Sequence, residues 1–283
     1  NLTPLVQKKI VPVVTGFIGA TKNGRVTTLG RGGSDYSAAI IGYCLNAREV
    51  QIWTDVDGVF SADPRLVKNA KQLQRITYKE ASELAAFGAK VLHPRTIRPL
   101  IPENIPIVIK NTFNPSSAGT YINGRGSGNP RIAAIASKPK VTLVNLYSLE
   151  MLLSKGFLEK IFAVFAKHNI SVDLVSVSEV SVSVTLDNRE DLQGALQELK
   201  DFAITSTNQV GVISLIGENI LETDGVLKNV FSILSSAKVP VRMLSLGASD
   251  INISIVTDPV FVSSAVNVLH DGIISKDKEG KIS

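Results

Sequence analysis

The alternation of apolar and polar positions in the first part of the chain predicts helices and strands that follow one another. A helix-like run covers residues 36–45, a short apolar strand covers 49–53, and a strand-like run covers 10–15. A polar loop that contains glycine, residues 54–65, follows the apolar strand. Alternating helices and strands indicate an α/β fold, in which ligands bind beyond the carboxyl ends of the strands.

The second half of the chain contains an internal repeat. Residues 156–186 align with residues 225–255 without a gap, with Gly156 opposite Gly225. In each copy, apolar residues at helical spacing are followed by apolar residues that alternate with a period of two. Each copy is therefore predicted to form a helix and then two strands, with the helix packed on a small antiparallel sheet.

Composition and charge favour a globular protein with more than one domain. The 283 residues carry a formal charge of +5, with cations and acids interspersed and no basic stripe, so no nucleic-acid partner is expected. No apolar run reaches the roughly 20 residues of a transmembrane helix, so no membrane association is expected. The single cysteine, Cys44, lies in the apolar run of the first helix and is expected in the core.

The most informative segment is glycine-rich, T-L-G-R-G-G-S-D at residues 28–35. Its glycines let the backbone approach a small anion, because no Cβ stands in the way. Ser34 or Asp35 can cap the following helix, whose first N–H groups attract anions. Arg31 adds a planar fork of donors that suits a carboxylate or a phosphate. Taken alone, the segment is about equally compatible with a glycine-rich turn between two elements.

Two further segments carry charged residues that point to a ligand. The loop T-D-V-D-G-V-F-S-A-D-P-R at 54–65 is not a calcium loop, because the twelfth position counted from Asp55 is Leu66 instead of a glutamate. The segment F-G-A-K-V-L-H-P at 87–94 places Lys90 where a helix gives way to a turn. Arg65 and Lys90 are candidate phosphate or nucleotide contacts; the alternative is that both are solvated surface cations.

Together and in this order, the three segments resemble the aspartate kinases of the amino acid kinase family. The resemblance implies an α/β fold in which the C-terminal part of a kinase α/β sandwich precedes two ACT (βαββαβ, ferredoxin-like) domains. It implies ATP with Mg²⁺ as cofactor and no metal ligand from the protein. The residues implied for L-aspartate are Arg31, Gly32, Gly33, Ser34 and Asp35, with Arg31 on a carboxylate and Asp35 near the ammonium. The residues implied for ATP are Thr54, Asp55, Phe60, Arg65, Lys90 and Val91. Phe60 replaces the tyrosine that lysine-sensitive bacterial members often have, so a hydroxyl contact is lost.

The implied reaction transfers the γ-phosphate of ATP to the side-chain carboxylate of aspartate and yields 4-phospho-L-aspartate, the first step towards lysine, threonine and methionine. That carboxylate is ionised near neutral pH, so no general base is needed, and positioning and electrostatic stabilisation carry the transfer. His93, His168 and His270 therefore receive no catalytic role. The family's K-F-G-G-S/T-S stretch, with its phosphoryl-stabilising lysine, is missing here. The catalytic residue is thus unassigned, and this chain alone is expected not to phosphorylate aspartate.

The repeat resembles a pair of ACT domains, small modules that sense amino acids. After its last helix, residues 260–270, the second copy is short of one strand, and residues 141–146 are expected to complete it. The first ACT domain would then be inserted into the second. A second helix of the first copy is predicted from three leucines at helical spacing, Leu192, Leu196 and Leu199. The expected limits are 1–123 for the kinase part, 124–131 for a linker, 148–212 for the first ACT domain, and 132–147 with 213–283 for the second.

Segments of the first copy closely match lysine-inhibited aspartate kinases, which implies an inhibitory L-lysine site. Its implied residues are Met151, Ser154, Phe157, Leu158, Ser171, Val172, Asp173, Ser178, Glu179 and Val180. Asp173 and Glu179 offer carboxylates to an ammonium, and the helix start near Gly156 suits a carboxylate. The second copy has Arg242 and Ala248 at the corresponding positions. Lysine is therefore expected to bind only the first copy. Paired ACT domains also imply a homodimer or a dimer of dimers.

Other functions stay open. The chain could be a non-catalytic regulatory subunit that senses an amino acid, with its kinase-like part as a docking surface. It could be the amino-terminal half of a kinase–dehydrogenase fusion, although no G-x-G-x-x-G follows. A kinase for glutamate or acetylglutamate is disfavoured by the paired repeat. The expected location is cytoplasmic, or plastid in a plant.

Overall fold

The computed structural model describes residues 2–88, 92–126, 131–152, 154–187, 191–247 and 250–275. Within these ranges the strands form a two-stranded hairpin, a four-stranded sheet and a six-stranded sheet. The hairpin and the four-stranded sheet belong to the kinase-like part, and the six-stranded sheet belongs to the repeat. None of the helices in these ranges is long and apolar enough to cross a membrane.

The kinase-like part has the predicted alternation of helices and strands. Its elements are α1 (Thr3–Gln7), β1 (Ile18–Ala20), β2 (Val26–Thr28), α2 (Gly33–Cys44), β3 (Val50–Thr54), β4 (Arg75–Thr77), α3 (Tyr78–Ala86), α4 (Pro94–Ile97), β5 (Ile107–Asn111) and β6 (Thr120–Asn123). The sheet order is β3-β5-β6-β4, and β3 runs parallel to β5 with Thr54 opposite Asn111. The carboxyl ends of β3 and β5 therefore meet at one edge of the sheet.

Helix α2 packs against β3 and runs antiparallel to it. A Cβ added at Gly42, near the end of α2, would lie 2.4 Å from Cγ2 of Val50, at the start of β3. Because the C-terminal end of α2 meets the start of β3, the N-terminus of α2 lies towards the carboxyl end of that strand. The glycine-rich segment is thereby placed at the edge where β3 and β5 end.

Two expectations for this part are wrong. Residues 10–15 form no strand, and Val11 and Val13 are 86% and 98% exposed, because these apolar residues have no neighbouring strand to pair with. Cys44 is exposed rather than in the core. It stands two residues after the buried Gly42, which puts it on the opposite side of the helix.

The six-stranded sheet is built on two long strands, β7 (Ala134–Tyr147) and β10 (Ile204–Ile216), which pair antiparallel along their whole length with a bulge between Val210 and Val212. The other strands are β8 (Val175–Val177), β9 (Ser181–Leu186), β11 (Met243–Leu246) and β12 (Asn252–Thr257). The order is β11-β12-β10-β7-β9-β8. β12 adds to β10 at one end, and β9 adds to β7 at the other, so each end forms a four-stranded unit.

Each unit has the helix followed by two strands that the repeat predicts. The first unit carries α5 (Phe157–Lys167) and α6 (Leu192–Leu199), and the second carries α7 (Val226–Ser236) and α8 (Val262–Leu269). Helix α6 contains the three leucines that predicted it. Each unit has its own apolar core, with Phe165 in the first and Ile213 in the second, both buried.

The strand that completes the second unit differs from the expected one. Residues 142–147 of β7 pair with β9 and thus lie in the first unit. Residues 134–138 pair with 212–216 of β10, beside β12, and complete the second unit. The expectation that residues 141–146 would do so is wrong, because one 14-residue strand passes from one unit into the other. The domain limits themselves stay a prediction, and part of the predicted linker (127–130) lies outside the described residues.

The kinase-like part packs directly on the six-stranded sheet. Leu84 and Phe87, at the end of α3, share one apolar core with Leu174, Met243 and Val256 from both units. The edge strands β8 and β11 also contact each other, so the sheet curls around this junction. The regulatory-like units and the kinase-like part therefore form a continuous packed body at α3.

In the first unit, His168 joins α5 to α6. It follows α5, and its Nδ1 is hydrogen-bonded to Asp191, the residue before α6. Its Nε2 lies 3.2 Å from Oε2 of Glu198 in α6. The hydrogen bond to Asp191, and then that to Glu198, raise the pKa of His168 above its usual 6.5. Two carboxylates thus favour the charged imidazolium.

We expect this contact to make stability depend on pH. A folded-state pKa above the unfolded one gives a stabilisation that is fully present below the unfolded pKa of about 6.5 and is lost as the pH rises through the folded pKa. Urea unfolding of the wild type and of His168→Gln should therefore differ more at about pH 6 than at about pH 9. An equal difference in the free energy of unfolding at both pH values would contradict the charged contact.

Candidate functional site

The glycine-rich segment forms the start of α2 with a left-handed backbone. Gly30 and Gly32 have φ values of +77° and +69°. The N–H of Gly33 donates to the carbonyl of Gly30 over 3.0 Å, which closes a tight turn around Arg31. Arg31 and Ser34 are exposed at this turn. The turn places a guanidinium and the first backbone N–H groups of a 12-residue helix on the same side of the sheet edge.

The predicted capping of α2 is wrong. The helix begins at Gly33 with Gly32 as its N-cap, and no side chain caps it. Ser34 and Asp35 instead lie inside the first turn, where Oγ of Ser34 is 3.4 Å from Oδ1 of Asp35. The left-handed glycine starts the helix two positions earlier than a cap by Ser34 would.

His93 forms the wall opposite this turn, a role that the sequence analysis did not assign. A Cβ added at Gly32 would lie 2.6 Å from Cβ of His93, so the two segments are in close contact. Nδ1 of His93 accepts a hydrogen bond from the N–H of Arg95 over 3.2 Å. Burial, and then the cations Arg95 and Arg31, lower the pKa of His93. The sequence signal was the H-P pair at the end of F-G-A-K-V-L-H-P, because a histidine before a helix-starting proline can cap that helix.

Asp35 lies beside the same wall and is half-buried. Burial raises the pKa of its carboxyl above 3.8, while the hydrogen bond from Ser34 and the nearby His93 act in the opposite direction. The residues predicted to bind L-aspartate therefore form one short turn. Within residues 30–35 this turn carries the guanidinium of Arg31, the carboxylate of Asp35 and the first backbone N–H groups of α2.

The loop after β3 is tied to the loop after β5. Thr54 ends β3 and its Oγ1 donates to Oδ1 of Asp55 over 3.1 Å. The carboxylate of Asp57 accepts hydrogen bonds from the side-chain amides of Asn111 and Asn114 over 2.9 and 3.1 Å. Asp57, rather than Asp55, therefore holds the loop in place. The exposed Asp55 remains at the sheet edge, where this fold class binds ligands.

Farther along, the loop folds back on itself. Gly58 has a φ of +143°, and a Cβ there would lie 2.4 Å from Oγ1 of Thr120, so only glycine fits. The half-buried Phe60 then forms a single β-bridge with Gln72. This backbone fixes the position of Phe60, one of the residues predicted for ATP.

Arg65 is engaged by a carboxylate of its own loop. Its Nε and Nη2 donate to Oδ1 and Oδ2 of Asp63 over 3.0 and 2.7 Å. The side chain is 82% exposed, and its hydrogen bond to the carboxylate of Asp63 raises the pKa of the guanidinium further. A phosphate that binds Arg65 would have to share it with Asp63.

The remaining predicted nucleotide residues, Lys90 and Val91, lie outside the described residues. Among the residues that are described, no hydrogen bond joins Arg31 to Asp55. The two groups are brought to the same edge of the sheet by α2 and β3, and this shared edge is the candidate site.

The ten residues predicted for lysine do not meet in one place within the chain. Near one end of β9, the N–H of Asp173 donates to the carbonyl of Thr185. At the other end, the hydroxyls of Ser178 and Ser181 are 2.7 Å apart across the turn that starts β9. Four residues of strand separate these ends by about 13 Å. Asp173, which Ser171 and Val172 precede in the chain, lies at one end. Ser178, Glu179 and Val180 lie at the other, where the carbonyl of Val180 accepts from the N–H of Ser148 and the carbonyl of Ser148 from that of Met151. Ser154, Phe157 and Leu158 follow Met151 in the chain.

Several of these residues belong to the core of the first unit. Phe157 is 4% exposed, and its ring meets that of Phe202 edge to face with centroids 5.7 Å apart. Met151 and Val172 are partly buried against the same core. By contrast, Gly156, the N-cap of α5, is exposed with a φ of +80°, and a Cβ there would lie 3.7 Å from Oε2 of Glu159. The helix start is thus exposed beside a carboxylate, while Phe157 mainly packs.

Asp173 faces an ammonium of the chain itself. Nζ of Lys138 lies 3.2 Å from Oδ2 of Asp173, contacts Asp187, and sits 5.5 Å above the ring centroid of Phe87. Burial raises the pKa of Asp173, and the Lys138 ammonium opposes that shift. A cavity of about 360 Å³ opens here between α3 and both units, lined by Glu83, Ala86, Phe87, Lys138, Val172, Asp173, Leu174, Ser245, Gly247 and Asn252.

The corresponding position of the second unit is occupied by a cation, as the sequence indicates. The guanidinium of Arg242 binds the carboxylate of Asp258 through two hydrogen bonds of 3.0 and 2.8 Å. Ala248 lies outside the described residues. At Arg242 the second unit therefore lacks the anion that an ammonium ligand would require.

Comparison with known proteins gives two family matches. Residues 1–111 match the amino acid kinase family, and residues 213–272 match the ACT domain family. The chain is 39% identical over 282 residues to lysine-sensitive aspartokinase 3 of Escherichia coli and 41% identical over 272 residues to chloroplastic aspartokinase 1 of Arabidopsis thaliana. It covers 62% and 48% of those proteins, which cover 96% and 92% of it. The chain thus spans half to three fifths of these relatives.

Solved structures show the same similarity to aspartokinases. The crystal structure of E. coli aspartokinase III in complex with aspartate and ADP matches with a TM-score of 0.85 at 38% identity, covering 97% of this chain and 63% of that one. The same enzyme in complex with lysine and aspartate matches with a TM-score of 0.78 at 40% identity, over 91% and 59%. The likeness spans the kinase-like part and both repeat units.

We expect Gly32→Ala to destabilise the protein more than Gly24→Ala. Both positions have a left-handed backbone, which costs a residue with a Cβ about 1–2 kcal/mol. A Cβ at Gly24 meets nothing within 4 Å, whereas one at Gly32 meets His93 at 2.6 Å. Urea unfolding should therefore show the larger loss for Gly32→Ala. Equal losses would show that His93 does not pack against the turn.

Proposed function

We propose that this chain, a member of the amino acid kinase family of the aspartokinase type with ACT domains, provides the aspartate-binding turn and nucleotide loop of an enzyme that phosphorylates L-aspartate with ATP. The product would be the acyl phosphate 4-phospho-L-aspartate. The observation that carries the proposal is geometric. The N-terminus of α2, which carries the turn around Arg31, and the loop of Thr54 and Asp55 both lie towards the carboxyl end of β3.

The turn suits the acceptor substrate. Arg31 would hold one carboxylate of aspartate through its fork of donors. Asp35, the third residue of α2, would receive the ammonium. The attacking carboxylate is already ionised near neutral pH, so the turn has to position it and need not remove a proton.

The loop after β3 suits the nucleotide. Asp57 and Gly58 fix its backbone, so that Thr54, Asp55 and Phe60 keep defined positions while the exposed Arg65 can exchange Asp63 for a phosphate. ATP supplies the phosphoryl group, and we propose that Mg²⁺ is held by the phosphates it accompanies. Cations at the sheet edge would then neutralise charge that spreads over the phosphate oxygens during transfer.

Arg31→Lys tests the aspartate assignment. In an enzyme assembled from this chain and the N-terminal kinase segment of the E. coli relative, trapping of the acyl phosphate as a hydroxamate reports turnover. A lysine keeps the charge but loses the two-point contact, so the KM for aspartate should rise about tenfold while the KM for ATP stays unchanged. Arg25→Lys, in the exposed hairpin, is the matched control. Unaltered kinetics in Arg31→Lys would sink the assignment.

Lysine would act at a site shared by two copies of the chain. The two predicted groups are about 13 Å apart along β9, farther than one lysine molecule extends. Pairing of two first units would bring Asp173 of one copy to the helix start and turn of the other. β8 is an edge strand that touches β11 of the same chain, and its Val175 and Val177 remain 36% and 49% exposed, which supports contact with a second copy. We therefore propose a homodimer, or a dimer of dimers, with lysine at the interface.

Asp173→Ala should abolish inhibition by lysine in the same assembled enzyme. Removal of this carboxylate deletes the ammonium contact, while Lys138 keeps Asp187 as a partner and the fold is retained. Asp258→Ala, which breaks the exposed pair with Arg242 in the second unit, is the control and should leave inhibition intact. Inhibition of Asp173→Ala by lysine at wild-type concentrations would refute the assignment.

A regulatory subunit that only senses an amino acid is the second candidate. The pairing of Arg65 with Asp63 favours it, because a phosphate would first have to displace that carboxylate. Calorimetric titration of this chain with lysine and with ATP separates the two: a sensor binds lysine alone, and a kinase part also binds nucleotide. The cellular location, cytoplasmic or plastid, stays a prediction.

A further inference from the structure

The predicted nucleotide loop continues into the second ACT unit. Ala62 and Val67 are 3% and 1% exposed, and both belong to the apolar core of that unit together with Ile135, Ile213 and Leu269. The loop therefore does not end at the kinase-like sheet. Its second half is built into the regulatory-like part of the molecule.

A buried hydrogen bond marks the point where they meet. Oγ of Ser61 lies 2.9 Å from Nε2 of His270, and both residues are 0% exposed. The same hydroxyl accepts a hydrogen bond from the N–H of Lys71 over 2.9 Å. Ser61 immediately follows Phe60, the predicted nucleotide-packing ring. His270 immediately follows α8 and begins a π-helical turn, a rare conformation that is frequent at functional sites.

Two other hydrogen bonds from the second unit hold this loop. The N–H of Ile135, in β7, donates to the carbonyl of Ser61 over 2.8 Å. The side-chain amide of Asn267, in α8, donates to the carbonyl of Leu66 over 3.1 Å. The loop is thus held by a strand and by a helix end, and His270 supplies the buried side-chain contact.

The hydrogen bond between Ser61 and His270 joins two neutral, buried groups. Burial lowers the pKa of His270, so the imidazole is neutral and can pair with a neutral hydroxyl. Nδ1 of His270 lies 3.9 Å from the carboxylate of Asp271. Loss of the Ser61 hydroxyl would leave the buried Nε2 without this partner, and loss of His270 would leave the hydroxyl with only the N–H of Lys71; either costs more than a lost surface contact.

We propose that His270 is a positioning residue for nucleotide binding: through Ser61 it holds the loop that carries Phe60 and Arg65 in its ATP-binding form. The second ACT unit then sets nucleotide affinity, while effector binding belongs to the first. This inference rests on the proposed nucleotide site. The second unit, which lacks an anion at Arg242, would thus have a function of its own.

The test compares variants of this chain by calorimetric titration with ATP and Mg²⁺. His270→Leu removes the hydrogen bond and should weaken ATP binding about tenfold. His270→Gln keeps a polar atom near the position of Nε2 and should restore most of the affinity. Ser254→Ala is the matched control, because Ser254 is equally buried and bonded to Ser214 over 2.6 Å inside the second unit. It should bind ATP like the wild type.

Hydrogen exchange gives a second readout. Amides of residues 61–67 should exchange faster in His270→Leu and not in Ser254→Ala. If His270→Leu does not fold, Asn267→Ala, which removes the tie to Leu66 and a bond to the carbonyl of Ser263 within α8, should give a smaller loss of affinity and faster exchange in the same segment.

Three outcomes overturn the inference. Equal ATP affinity in folded His270→Leu and in the wild type overturns the inference but leaves the proposed nucleotide site intact. Equal losses in His270→Leu, His270→Gln and Ser254→Ala would show a general loss of stability instead of positioning. A wild-type chain that binds no ATP at all removes the proposed nucleotide site together with the inference, so the two failures are told apart.

Discussion

The pairing of β7 with β10 is the constraint on which the rest of the structure depends. The two strands are antiparallel over their whole length, and each gives one half to each ACT unit. A one-residue slip would turn every side chain of a strand to the opposite face, so the register of one unit fixes that of the other. The bulge between Val210 and Val212 marks where one unit gives way to the next. The two units cannot rearrange independently without breaking this ladder.

The kinase-like part uses the two units differently. The end of α3 meets the shared strand β7 through Phe87 and Lys138, whose ammonium also contacts Asp173 of the first unit. The loop after β3 meets the second unit through Ser61 and His270. An ammonium ligand at Asp173 would compete with Lys138 and disturb the contact with α3. The proposed effector and nucleotide sites are thus linked through two elements that already touch the shared sheet, which is the physical requirement for coupling.

Sequence patterns predicted the repeat units and the α/β order well, because apolar periodicity reports burial directly. They failed where burial depends on a partner far away in the chain. The apolar residues of 10–15 have no neighbouring strand, and residues 141–146 joined the first unit because one strand serves both. The start of α2 depends on the left-handed backbone of its N-cap, Gly32, whereas Ser34 led the sequence analysis to expect a side-chain cap. His270 carried no local signal at all, since its partner Ser61 is 209 positions away.

Linkage between lysine and ATP tests the account most directly. If both ligands bind this protein and act through one shared sheet, the factor by which saturating lysine changes the dissociation constant of ATP must equal the factor by which ATP changes that of lysine. Calorimetric titration of each ligand in the absence and presence of the other measures both factors. The account predicts two equal factors that differ from one. Two ligands that bind with no effect on each other would contradict it.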